Sequence, residues 1–241
     1  MKAVYRMTQP NQENSKRMEA NMKRSTPLFF ILLTLILTGC SLQPVYQGAY
    51  SSQIRPKDNK PEIWITNHPR VKHFRDYYLK TITVKDGLER GRRYLGPIAR
   101  EFQSRGLPLE LIYLPLLESR YINRADSGHA KGIWQFIPST AKAMGLRVGF
   151  MVDERMNWRK ATIAAAEYLL ILGKRFNYNW ALALAAYNGG PNYVEEAMRK
   201  QGSWNFWDLN LREETQEYVP RFIAMLQVAR ERYPHMLVAS R

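Results

Sequence analysis

The chain has 241 residues, of which 45% are hydrophobic and 12% aromatic, so it can bury a substantial core and is not globally disordered. Its formal net charge of +15 favours anionic partners, but no basic block interleaved with aromatic residues indicates a nucleic-acid motif, and no nucleic acid is expected as a partner. A basic envelope protein that meets an anionic polymer explains the charge equally well. The single cysteine, Cys40, excludes an intramolecular disulfide.

The first 60 residues have the features of a processed leader. Two basic residues precede an apolar run over 28–37, which is too short to span a membrane. The following Leu37-Thr38-Gly39-Cys40 resembles the bacterial lipobox, in which the cysteine is lipidated; the alternative is an ordinary buried cysteine. We therefore expect a mis-start or extension over 1–21, a lipoprotein signal peptide over 22–39, and a lipidated Cys40 with a flexible tether over 40–60.

Apolar residues recur every three to four positions from about Glu62, which predicts helices through residue 106. Gly106 and Pro108 end this part of the chain. Pro115 lies inside the next apolar segment and predicts a kink or an early stop just before Glu118. Residues 119–137 are rich in Asn, Asp, Ser and Gly and are predicted to form a loop.

Four further helices are predicted, and no segment carries a comparable strand pattern, so the expected fold class is mainly α. Pro220 should either bend the last helix or mark its true start. The four helices are a short one from Pro138 that stops at Gly145, a central buried one over Ala161–Leu172, a buried one over Trp180–Ala186, and an amphipathic one over Glu213–Arg232.

Glu118 ends the strongly apolar stretch 109–117, so its carboxylate should be poorly solvated. Desolvation disfavours the charged form and raises the pKa, which keeps a carboxyl group protonated for general acid catalysis. The structural alternative is an N-cap or an ion pair with Arg120.

Other polar and aromatic residues gather at predicted helix ends and loops. Amides, hydroxyls and aromatic faces together bind sugar rings. For Trp134, Phe136 and Tyr187 the alternative is core packing. For Ser119 and Asn188 it is helix capping. The candidate substrate-binding residues are Ser119, Ser127, Trp134, Gln135, Phe136, Tyr187, Asn188 and Tyr218.

Four of these motifs occur in a characteristic order: Glu118-Ser119, Gly132-Ile133-Trp134-Gln135-Phe136, Ala186-Tyr187-Asn188-Gly189-Gly190 and Tyr218. The order resembles the soluble-lytic-transglycosylase family of peptidoglycan-cleaving enzymes, and most of all its membrane-bound lytic murein transglycosylase D group. The resemblance implies a goose-type-lysozyme-like helical catalytic domain with a substrate cleft. The implied layout is an N-terminal helical part over 61–106, a catalytic core over 107–235 and a tail over 236–241.

The chain departs from the family pattern at three places. Asn192 stands where a second glycine often falls, and it should tolerate left-handed geometry or cap a helix. Asn157-Trp158 replaces the usual Asp-Pro before the central helix, which we interpret as structural. No LysM wall-binding repeat fits between Tyr233 and Arg241, so affinity is expected from the cleft and the lipid anchor.

The resemblance implies that Glu118 is the sole acid/base in cleavage between N-acetylmuramic acid (MurNAc) and N-acetylglucosamine (GlcNAc), giving 1,6-anhydro ends without water. Glycosidases commonly use two carboxylates, and Asp126 is the nearest second candidate, although a solvated ion pair beside Arg124 is the favoured interpretation. An Asp126 that activated water would make the chain a hydrolytic muramidase. A catalytically silent lipoprotein that binds glycan strands is the third hypothesis.

No cofactor and no metal are expected, because the four histidines lack the His-Glu-x-x-His spacing of a zinc site. The expected partners are peptidoglycan glycan strands and a membrane, the latter through the lipid on Cys40. Ser41 after the cysteine resembles the signal for delivery to the outer membrane, so we expect the protein to be anchored there and to face the periplasm. A monomer is expected.

Overall fold

Eight α-helices and four short 3-10 turns form the part of the protein that the computed structural model describes, residues 67–238. The expected leader, Cys40 and tether over 1–60 lie outside the described residues. The helices are α1 (Pro69–Leu79), α2 (Thr83–Ser104), α3 (Leu114–Glu118), α4 (Pro138–Ala143), α5 (Trp158–Arg175), α6 (Trp180–Gly189), α7 (Pro191–Gln201) and α8 (Glu213–Arg232).

The expected mainly helical fold class is confirmed. Residues 67–238 contain no β-strand, and their only β-type pairings are three isolated bridges, Asp126–Lys131, Lys131–Phe136 and Val148–Asp153. Two of these bridges lie within the loop over 119–137, where they fold the chain back on itself before α4.

The apolar segment before Glu118 is two short elements rather than one kinked helix. A 3-10 turn spans Leu109–Tyr113, and α3 then begins, with Pro115 in its first turn. Proline is tolerated there because the first N–H groups of a helix have no intrahelical partner. Glu118 is the last residue of α3, so the N-cap alternative for Glu118 is wrong.

Helix α7 is missing from the sequence prediction, which placed no helix between the one over Trp180–Ala186 and the one over Glu213–Arg232. Pro191 opens α7 from its first turn, after Gly190 has turned the chain with a φ of 91°. Asn192 therefore lies inside a helix and not in left-handed geometry. Its Oδ1 accepts a hydrogen bond of 2.7 Å from Arg175.

The core is built around α6, whose residues from Trp180 to Ala186 are all buried. Helix α6 packs against α5, α7 and α8, and α8 also packs against α1, α2 and α3. The alanines of α5 and α6 let these helices approach closely. Asn157 caps α5 by accepting from the backbone N–H of Lys160, which agrees with its structural interpretation. Helix α8 begins at Glu213, so Pro220 does not mark its start.

Candidate active site

Glu118 lies on an open cleft of about 330 Å³ between the end of α3 and the loop over 119–137. Three other predicted site residues, Ser119, Ser127 and Gln135, line the same cleft. Tyr78 and Met225 close it from α1 and α8. Two of the four motif segments, those at Glu118 and at Gln135, therefore meet at one concave surface.

Burial is the main influence on the carboxyl group of Glu118. The side chain keeps partial exposure to the cleft, but the surrounding protein desolvates its carboxyl group and raises its pKa from 4.5 to about 7. The hydroxyl of Tyr218 donates a hydrogen bond to Oε1 of Glu118 and opposes this rise by stabilising the charged form. Tyr218, and not Arg120, is thus the group that contacts this carboxyl.

Helix α8 supplies two of the groups that influence Glu118. Tyr218 is buried, and one helical turn earlier Glu214 presents a carboxylate whose negative charge further raises the pKa of Glu118. Glu214 is not among the site residues predicted from the sequence. Its position four residues before Tyr218 on the same helix face was the available indication.

Tyr187 supports the site from α6. Its hydroxyl donates to the main-chain oxygen of Trp134 at 2.9 Å, and its ring lies 5.6 Å from that of Tyr168. Burial, followed by the charge of Glu118, raises the pKa of Tyr187 well above its ordinary value. Tyr187 is therefore near Glu118, with its hydroxyl engaged by the main chain.

The rings of Trp134 and Phe136 belong to the core. Trp134 has no exposed surface, stacks on Phe102 at 5.5 Å between centroids, and donates from Nε1 to Thr162 at 3.0 Å. Phe136 is 3% exposed. This placement corrects the expectation that the Trp134 ring offers a stacking face for sugar, and core packing is the better interpretation for both rings.

Backbone geometry and side-chain hydrogen bonds together fix the loop over 132–136. Gly132 has a φ of 82°, and a Cβ there would lie 1.9 Å from the carbonyl oxygen of Arg155. Gln135 also has a positive φ, 48°, and its Nε2 donates to the carbonyl of Gly132 at 2.8 Å. Ser119 donates to the carbonyl of Ile133 at 2.9 Å, which ties the end of α3 to this loop.

Asn188 joins two helices and does not line the cleft. Its Nδ2 donates to Glu214 at 3.2 Å, and its Oδ1 accepts from the hydroxyl of Thr215 at 2.9 Å. These bonds hold the end of α6 against the first turn of α8. Asn188 thereby holds Glu214, whose charge raises the pKa of Glu118, and it has no direct contact with the cleft.

Asp126 is the second carboxylate on the cleft. It accepts from the backbone N–H of Gly128 at 2.8 Å and from Lys131 Nζ at 3.0 Å, and both bonds lower its pKa. The ion pair expected for Asp126 exists, but its partner is Lys131 rather than Arg124. Ser127 continues this turn, with its hydroxyl accepting from the N–H of Ala130 at 3.1 Å. Within residues 67–238 no group of three His, Cys, Asp or Glu side chains comes together to hold a metal ion.

Residues 97–210 match the transglycosylase SLT domain family. This match confirms the family resemblance that the ordered motifs indicate. The SLT match begins inside α2 and ends before α8, so Tyr218 and Glu214 lie outside the matched residues although they contact the site.

Two curated proteins are similar to the chain. The chain is 34% identical to the membrane-bound lytic murein transglycosylase D of Escherichia coli (strain K12), over 82% of this chain and 52% of that protein. It is 37% identical to a tributyltin chloride resistance protein of Alteromonas sp. (strain M-1), over 50% of this chain and 58% of that protein. The chain thus spans about half the length of the curated relatives it matches.

A solved structure is similar over part of the fold. An inactive mutant of the lytic transglycosylase Slt of Pseudomonas aeruginosa aligns with a TM-score of 0.45 and 21% sequence identity. The alignment covers 60% of this chain and 25% of that chain.

Proposed function

We propose that this chain is a peptidoglycan lytic transglycosylase that cleaves the MurNAc-β-1,4-GlcNAc bond, with Glu118 as the sole acid/base. The observation that carries the proposal is one carboxyl group with a pKa of about 7 on an open cleft. Such a group exists in both protonation states near neutral pH, which suits a residue that must give and then take a proton. The SLT domain match over 97–210 and the similarity to a lytic murein transglycosylase support the substrate class.

The reaction proceeds in two proton transfers. Protonated Glu118 gives its proton to the glycosidic oxygen, and the bond between that oxygen and C1 of MurNAc breaks with its electron pair leaving on the oxygen. The neighbouring N-acetyl oxygen bonds to C1 and carries the positive charge. Ionised Glu118 then removes the proton of the C6 hydroxyl, whose oxygen attacks C1 and displaces the N-acetyl oxygen. A 1,6-anhydro ring forms, Glu118 is protonated again, and no water is consumed.

The environment of Glu118 supports both halves of this cycle. Desolvation favours the protonated form that starts the reaction, and the hydrogen bond from Tyr218 favours the carboxylate that exists between the two transfers. The two influences oppose each other, and the pKa of about 7 is their balance. A general acid/base is most effective when its pKa lies near the working pH.

Hydrolysis is the second candidate, because Asp126 lies on the same cleft as Glu118. A hydrolytic muramidase would need a second carboxylate to activate water. The carboxylate of Asp126 is instead occupied by Lys131 and by the N–H of Gly128. This occupation favours the transglycosylase over the muramidase. The raised pKa of Glu118 on the cleft argues against a silent glycan-binding lipoprotein.

Mass analysis of digested peptidoglycan tests the proposed reaction. We expect products with anhydro ends, and activity about 10²–10⁴-fold lower in Glu118→Gln. Glu89→Gln, an equivalent change at an exposed glutamate of α2, should retain full activity. Products that carry only hydrated reducing ends would establish the muramidase, and an unchanged rate in Glu118→Gln would refute the assignment of Glu118.

We also propose that the chain is lipidated at Cys40 and attached to the outer membrane on its periplasmic side. The lipobox-like segment before Cys40 and the membrane-bound relative support this attachment. Among residues 67–238 no helix is both long and apolar enough to cross a membrane. Cys40→Ser should move the protein from the membrane fraction to the soluble fraction, and unchanged fractionation would refute lipidation.

The proposed catalytic core over 107–235 extends past residue 210, where the family match ends. Helix α1, from the proposed N-terminal part over 61–106, packs against α8, which carries Tyr218. We therefore propose that the 61–106 part is needed to position α8 at the cleft.

A further inference from the structure

A second cleft, of about 380 Å³, lies beside the start of α5. It is lined by Arg93, Tyr94, Asn123, Trp158 and Arg159, none of which lines the cleft at Glu118. The rings of Tyr94 and Trp158 meet edge to face with centroids 5.1 Å apart and form an aromatic wall.

Two exposed arginines flank the aromatic wall. The guanidinium carbon of Arg93 lies 4.7 Å from the ring centroid of Tyr94, and that of Arg159 lies 4.3 Å from the ring centroid of Trp158. No carboxylate within residues 67–238 forms an ion pair with either arginine. A guanidinium stacked on a ring keeps its N–H edge available, and that edge matches a carboxylate in a bidentate pair.

Asn123 lines the same cleft, but its Oδ1 is closed to solvent and a ligand in the cleft cannot reach it. Selection therefore rests on the two arginines and the aromatic wall, of which Trp158 keeps partial exposure. A peptide offers a carboxylate to the arginines and apolar groups to the wall, whereas a simple inorganic anion offers only its charge.

The two clefts share one wall. Thr83 lines the cleft at Glu118 and Arg93 lines the second cleft, and their separation along α2 is about 15 Å at 1.5 Å per residue. Between them the segment 120–123 packs on α2, where a Cβ at Gly91 would lie 2.9 Å from the ring of Tyr121. About five residues of extended peptide would span this distance.

We propose that the second cleft binds a carboxylate of the peptide branch of the same peptidoglycan strand whose glycan lies at Glu118. The identity of the polymer rests on the proposed function. The preference for a carboxylate beside an apolar group rests on the second cleft alone. Trp158, a position where the chain departs from the family pattern, thereby takes part in substrate selection rather than only in structure.

Fluorescence polarisation on the full chain in detergent tests the binding directly. The probe is a labelled synthetic pentapeptide with two free carboxylates, compared with the same peptide after both carboxylates are amidated. Arg93→Gln with Arg159→Gln should weaken binding of the free peptide about 25-fold, since each lost exposed ion pair reduces affinity about fivefold. Arg92→Gln with Arg100→Gln is the matched control, because it removes two exposed charges from α2 outside the cleft.

The proposal is upheld if the control variant binds within twofold of the unmodified chain and the amidated peptide binds all variants equally weakly. It is overturned if the control loses the same affinity, or if the amidated peptide binds as tightly as the free one. Unlabelled phosphate that displaces the peptide as well as free carboxylate does would also overturn it, because the cleft would then select only for negative charge.

Cleavage assays separate this proposal from the proposed function. The Arg93/Arg159 double variant should raise the KM for peptide-bearing peptidoglycan and leave turnover of peptide-stripped strands unchanged. An equal effect on both polymers would refute the peptide assignment while the transglycosylase activity stands. Carboxylate-dependent peptide binding by a chain that cleaves neither polymer would support the second cleft and refute the proposed function.

Discussion

Glu118→Gln should stabilise the folded protein at pH 8 and leave its stability at pH 4 unchanged. Glutamine has nearly the same shape as glutamic acid, and its Oε1 still accepts the hydrogen bond from Tyr218. The substitution therefore removes only the ionisation of the side chain. Its effect on stability measures how strongly the folded site opposes the charge of Glu118.

The sign follows from the folded-state pKa of about 7 and the ordinary pKa of 4.5, which applies to an unfolded chain. Below pH 4.5 Glu118 is protonated in both states and contributes no pH dependence. As pH rises from 4.5 to 7 the unfolded chain ionises while folded Glu118 holds its proton, so stability falls. Above pH 7 the full loss is present, and Glu118→Gln does not suffer it.

The magnitude follows from 1.36 kcal/mol for each unit of pKa difference, which sets an upper value of about 3 kcal/mol. Glu118 keeps partial exposure to the cleft, so we expect about 2–3 kcal/mol above pH 7. For a domain of this size the melting temperature should rise by roughly 5–10 °C.

Urea and thermal unfolding at pH 4 and pH 8 provide the measurement. Glu89→Gln is the control, and the free energy of unfolding should change by less than about 0.5 kcal/mol at either pH because Glu89 is exposed. A Glu118→Gln variant with the same stability difference from the unmodified chain at both pH values would show that the folded site does not raise the pKa of Glu118.

Three further substitutions test neighbouring features. Tyr218→Phe removes the bond that lowers the pKa of Glu118, so the pH–activity profile should move to higher pH; an unmoved profile would contradict this role. Glu214→Gln removes a charge that raises the pKa of Glu118, so the pH–activity profile should move to lower pH. The control Glu213→Gln, at the adjacent exposed glutamate, should not move the profile. Gly132→Ala should destabilise the fold by at least about 3 kcal/mol in urea unfolding, because its Cβ would clash with the Arg155 carbonyl; near-normal stability would contradict that geometry.

The sequence predicts those features that depend on local pattern. Helix α8 has the predicted bounds, Glu213 and Arg232, because its apolar stripe and terminal charges lie within one segment. The loop over 119–137 is predicted by its glycines and short polar residues, and the poor solvation of Glu118 by the apolar residues before it. Each of these properties is determined by neighbours along the chain.

Features that depend on distant partners are not predictable in this way. Tyr218 reaches Glu118 from 100 positions away, and only the fold brings them together. The ring of Trp134 faces Phe102 and Thr162, but the sequence around it would be the same if it faced the cleft. Pro191 follows the end of α6 and is the first residue of α7. The sequence pattern predicts the end of the first helix but not the start of the second.

The motif residues around Glu118 divide into those that act on the carboxyl group and those that hold the backbone. The side chains of Ser119, Gln135 and Tyr187 all donate to main-chain carbonyls of the loop 132–136. Their hydrogen bonds fix the loop that faces Glu118, because two separate segments converge on one short stretch of backbone and Gln135 adds a bond within it. Changes at these three positions should therefore lower stability and activity together, whereas Glu118→Gln should lower activity while it raises stability above pH 7. Such an opposition would show that the fold maintains an unfavourable carboxyl environment because its proposed chemistry requires it.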